Sequence, residues 1–146
     1  MNLEDFKYYT EIQNILGENV QMPPLFAINQ KIAFRFVFSD KPEKNHIPVY
    51  KQKPRRIISD KDKNSLSTSG FALSCFEDEN QAEKRYKQLK AHMKNISLTI
   101  GDALCAGYLS QSDGLITESN NETHYDLYEF KDCDLSQSLT IKKSLL

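Results

Sequence analysis

The chain of 146 residues is 39 % apolar and 27 % charged, with a formal net charge of −1. That length suits one domain with a core of its own, and eight Phe with seven Tyr argue against a disordered composition. No stretch approaches the roughly 18 consecutive apolar residues of a membrane span, so no membrane partner is expected.

Residues 3–20 are expected to form an amphipathic helix, with Phe6, Tyr9, Ile12, Leu16 and Val20 on one face and Pro23-Pro24 stopping it. KIAFRFVF (31–38) reads as a strand. Its alternation puts Ile32, Phe34, Phe36 and Phe38 on one side, and Ala33, Arg35 and Val37 on the other. Residues 39–69 follow with three prolines and few apolar side chains, long for an ordered loop, and are expected to be mobile. Between Lys41 and Lys63 this segment holds eight bases against three acids, whereas Glu77 to Asp134 holds 12 acids against six bases.

The stretch SGFALSCFEDEN predicts a strand over Phe71–Phe76 and a helix capped by Asp78, with Gln81 three residues on in a variant of the capping box. Ala82, Tyr86, Leu89 and Met93 recur at helical spacing and predict the buried stripe. ALCAGYL (103–109), GLITE (114–118), THYDLYEF (123–130) and SLTIKKSL (138–145) supply four further strands, the first two flanking the polar turn SQSD. The expectation is one α+β domain over 1–146, with a largely antiparallel sheet, an N-terminal helix and one central amphipathic helix.

Most familiar chemistries fail on spacing. Cys75 precedes a helix start, but Glu77, Asp78 and Glu79 oppose a thiolate there, and Gln81 stands where a phosphate-holding arginine would be needed. We read it as core. His46, His92 and His124 are far apart, and no two cysteines have finger spacing, so no metal is expected. His124 and Asp126 share a strand face and form the one local His–carboxylate pair. The five glycines fit neither dinucleotide nor phosphate-loop spacing, so no bound cofactor is expected. The acidic start MNLEDFKYYTEI lacks a basic region before an apolar run, and Cys75, Cys105 and Cys133 are odd in number and widely spaced. Both favour reduced thiols and a cytoplasmic location.

Three functional expectations follow. The first is an interaction or accessory protein whose basic loop engages a larger partner with an acidic surface, through Tyr50, Lys51, Lys53, Arg55 and Arg56. The second comes from an ordered set: Arg35 in a strand, Ser67-Thr68-Ser69 before another, and Glu129 in a late strand. This order is similar to the pattern of mono-ADP-ribosyltransferases. The resemblance implies an NAD-using enzyme, with Arg35 on the dinucleotide, Ser67 and Ser69 shaping its pocket, and Glu129 in catalysis. Leu127 stands where that family carries a Gln or Glu two residues before its catalytic Glu. The third is a nucleic-acid-binding module, in which the same basic segment neutralises phosphates.

Overall fold

The computed structural model describes residues 3–16, 22–53 and 68–146. Seven strands form one sheet: β1 (Phe26–Ala27), β2 (Lys31–Val37), β3 (Leu73–Phe76), β4 (Ala103–Leu109), β5 (Gly114–Ile116), β6 (His124–Glu129) and β7 (Leu139–Ser144). Their order is β1-β5-β6-β3-β2-β4-β7, with every neighbouring pair antiparallel. The helices are α1 (Tyr9–Leu16), α2 (Val49–Gln52), α3 (Glu79–His92), α4 (Ile96–Thr99) and α5 (Leu135–Ser138). The architecture is the α+β one expected. No helix among the described residues is long and apolar enough to cross a membrane.

Strands β4 and β5 are neighbours in sequence but not in the sheet, where four inter-strand spacings separate them. Laid flat, those spacings amount to about 19 Å. The connection is far shorter, because Asp113 N–H donates to Ser110 O at 3.0 Å and folds residues 110–113 into a turn. The sheet must therefore curl, and its concave face closes on itself. That inner face holds the main core, with Ala33, Val37, Leu73, Cys75, Ala103, Cys105, Leu109, Tyr125 and Leu127. The outer face of β2–β4 is covered by α3, through Phe34, Phe76, Ala82 and Leu104. Both faces of β2 are buried in the alternation its sequence carries.

Helix α3 begins as expected, with the Asp78 carboxylate accepting from Gln81 N–H at 3.0 Å. Ala82 and Tyr86 are buried, and the Tyr86 hydroxyl donates to Gly101 O at 2.8 Å. The stripe then fades: Leu89 is half-buried and Met93 is 41 % exposed. Periodicity reports which face turns inward, but not how far the underlying surface extends. Here it stops short of the helix's last turns.

The N-terminal helix is also shorter than its apolar pattern. Leu3–Asp5 is a 3-10 turn, and Phe6 forms a bridge with Phe130. Lys7 N–H donates to Glu129 O at 2.9 Å, and Lys131 N–H donates to Asp5 O at 3.0 Å. Sheet pairing thus takes the backbone groups that a helix would use, and Phe6 stacks on Phe130 at 5.8 Å. The part of the expected helix beyond Leu16 lies outside the described residues.

Within the basic segment, Pro42–Lys44 is a 3-10 turn and Val49–Gln52 is α2. The Tyr50 ring lies over Gly70, where an added Cβ would collide with it, and meets Phe71 edge-on at 5.4 Å. Lys51 pairs with Glu11 of α1 at 3.5 Å. Residues 54–67, with Arg55, Arg56 and Ser67, lie outside the described residues.

Candidate functional site

Strand β2 pairs with β4 along its whole length, from Lys31↔Leu109 to Val37↔Ala103. With β3 it pairs only at Phe34↔Phe76. Beyond that point the two strands part, and Arg35 occupies the gap. Its Nη1–H donates to Ser74 O, a carbonyl left without a ladder partner by the parting. Its Nε–H donates to His46 Nδ1 at 3.0 Å. Burial, and then the Arg35 charge, pull His46 down to about 3. His46 is therefore neutral, with Nδ1 the acceptor and the proton on Nε2.

The opening widens into a cavity of about 600 Å³. Four cations line it, Arg35, Lys44, Lys53 and Arg85, together with His46 and His124. Phe36, Phe38 and Phe76 add aromatic surface, and Ser69, Ser74, Asn45 and Asn120 add polar groups. Among the described residues, Glu122 is the carboxylate in its wall. His124 stands edge-on to Phe76 at 5.3 Å, and its Nε2 lies 3.7 Å from Asp126 Oδ1. Burial raises Asp126 above the usual carboxylate range, although His124 beside it acts in the opposite direction.

The residues named from the resemblance divide between two places. Arg35 and Ser69 meet at this cavity, while Thr68 turns inward and its hydroxyl lies 2.9 Å from the Tyr128 hydroxyl. Ser67 falls outside the described residues. Glu129 lies elsewhere, 3 % exposed in the wall of a second cavity of about 440 Å³. Its Oε2 accepts from Lys7 Nζ at 2.7 Å, and Lys7 also donates to Cys133 O at 2.6 Å. Arg35 and Glu129 both project from the inner face of the sheet, and Asn45 and His46 line both cavities, but Glu129 itself lies in the wall of the second one, held there by Lys7.

Of the residues expected to bind a partner, Lys53 lines the cavity, while Tyr50 and Lys51 contact the domain itself. Cys75 is fully buried, and burial pushes its thiol up to about 11. That is the state of an inert core thiol. Among the described residues no group of three or more His, Cys, Asp or Glu is placed to hold a metal.

Sequence reasoning missed His46, Lys44, Arg85 and Glu122 as members of one site. For Glu122 a signal exists, an acidic residue in a polar turn immediately before a strand. For the others, only the folded chain brings them together. No family model, no curated protein and no solved structure matches this chain.

Proposed function

We propose that the protein binds an anionic nucleotide of the NAD type in the cavity between β2 and β3, and cleaves it there as an ADP-ribosyltransferase-like enzyme. The observation that carries this reading is Arg35. The residue is 9 % exposed, its hydrogen bonds run to two neutral acceptors, and among the described residues no carboxylate forms an ion pair with it. A buried cation so placed calls for a counter-charge, and a ligand phosphate supplies one with matching planar geometry. Lys44, Lys53 and Arg85 extend the positive lining, and the phenylalanines offer faces for a base or a nicotinamide ring. The volume lies within the range of roughly 300–1,000 Å³ typical of small-molecule sites. Of the residues of the resemblance, Arg35 and Ser69 share this cavity and Glu129 lies in the neighbouring one.

Titration of the protein with NAD in a calorimeter tests the reading. Binding should weaken as salt is raised and should fall at least about 30-fold in Arg35→Gln. Absence of heat at millimolar NAD, or equal affinity in the variant, sinks it.

The second reading is a protein partner with an acidic surface, held by the basic loop. It is favoured by the exposure of Lys41, Lys51 and Lys53 beside the 41 % exposed Val49. Replacing Lys51 and Lys53 with Gln would then weaken capture of that partner in a salt-dependent way, and NAD would not compete for it.

A further inference from the structure

We propose that Glu122 is the carboxylate that acts on the bound ligand, at the ribose carbon carrying the nicotinamide. This rests on the nucleotide reading above and names its reacting group.

Position is the first argument. Among the described residues, Glu122 is the carboxylate in the cavity wall, on the same lining as Arg35 and Arg85. Glu129 lies in the neighbouring cavity, 3 % exposed and paired with Lys7. Asp126 is occupied by His124 and shifted toward its protonated form by burial.

The mounting of Glu122 is the second. Asn120 Oδ1 accepts from both Glu122 N–H at 2.9 Å and His124 N–H at 3.0 Å. Thr123 N–H donates to Asn120 O at 3.0 Å, and Asn120 N–H donates to His124 O at 2.9 Å. Glu77 N–H donates to Thr123 O at 2.9 Å, tying the turn to the entrance of α3. At its centre Thr123 has φ +62°, a left-handed conformation unfavourable for a β-branched residue. Strain of this kind persists only where the surroundings over-determine it, and here five hydrogen bonds hold it next to Glu122.

The third argument is chemical. Cleaving an ordinary glycoside requires two carboxyl groups, one of them to protonate the leaving oxygen. The nicotinamide of NAD is a pyridinium. When its bond to the ribose carbon breaks, the electron pair goes to the ring nitrogen, and neutral nicotinamide departs without needing a proton. Positive charge develops on the sugar, and one carboxylate beside it is enough to stabilise that charge. The sugar carbon then bonds to the oxygen of water or of another acceptor hydroxyl, whose proton passes to solvent. A cavity of four cations and one carboxylate among its described residues has the composition for this step: cations for the pyrophosphate, one anion for the sugar.

The test measures NAD binding by calorimetry and nicotinamide release by chromatography in wild type, Glu122→Gln and Glu129→Gln. Glu122→Gln should bind NAD within about threefold of wild type and release nicotinamide at least about 100-fold more slowly, a kcat effect without a binding effect. Glu129→Gln should keep its release rate; if it does not fold, the comparison of Glu122→Gln with wild type still decides. Release at the wild-type rate by Glu122→Gln overturns the assignment and leaves the nucleotide reading standing. A wild type that binds NAD without cleaving it overturns the assignment and the cleavage half of the nucleotide reading, and leaves only the binding half. A wild type that neither binds nor cleaves NAD overturns both.

Discussion

The two sides of β2 are built from the same seven residues and behave in opposite ways. Toward β4 the ladder is continuous, and Leu104 behind it is fully buried with Phe34, Phe76 and Ala82. Toward β3 the ladder stops after one pair, and a buried cation fills the gap. The first side gains its stability from apolar area and paired backbone. On the second, Arg35 and the lone Ser74 carbonyl satisfy each other, and the structure carries an uncompensated charge in exchange for an opening. A closed ladder and an opening are thus separated by the width of a single strand.

The largest expected effect breaks the closed side. Tyr86→Ala should cost about 3–5 kcal/mol, as large aromatic truncations in cores do, and it also strands the Gly101 carbonyl. A shift of the urea midpoint corresponding to less than about 1.5 kcal/mol would mean that α3 is not what closes this face. Next comes Gly70→Ala, at about 1–3 kcal/mol, because its methyl group would meet the Tyr50 ring. Thermal midpoints compared with Tyr50→Ala, and with the double variant, check it: the clash should vanish when the ring is gone.

Leu89→Ala should cost about 1 kcal/mol, well short of a core leucine, since Leu89 is half-buried at the cavity margin. A cost equal to that of Leu104→Ala would place the rim inside the core and contradict the contrast. The smallest stability effect belongs to Arg35→Met. Without ligand it should change stability by less than about 1 kcal/mol in either direction, because relief of a buried charge is offset by the donors lost to Ser74 O and His46 Nδ1. A loss above about 2 kcal/mol would show that Arg35 is held for folding rather than for a ligand.

Local patterns recorded faces and caps well. The alternation of Ile32 to Val37, the Asp78 cap and the burial of Ala82 and Tyr86 all follow from neighbours within a few residues. The long-range arrangement was not legible. Nothing near SQSD says that the strands on its two sides belong to distant places in the sheet, because that depends on which partners each strand finds. The site shows the same division. Arg35 and Ser69 could be grouped by their order along the chain, and they do share a cavity. The surroundings of Glu129 were not legible, since they are set by Lys7, and the pairing of Phe6 with Phe130 overrode a helical pattern. His46 hid for a related reason: a loop histidine becomes a buried acceptor for Arg35 only after the loop has folded over the parting of two strands.

The docking of the N-terminal segment on β6 has a consequence for synthesis. Lys7 and Glu129 are 122 residues apart, so the segment around Lys7 waits for β6 before their pairing exists. Closing so large a loop is entropically costly and kinetically late. A chain emerging from the ribosome must hold Phe6 without its partner until β6 and Phe130 are clear of the exit tunnel. Until then the end of β6 has no cover, and Glu129 remains in contact with water. A nascent chain stalled before Phe130 would therefore present an open sheet end to chaperones.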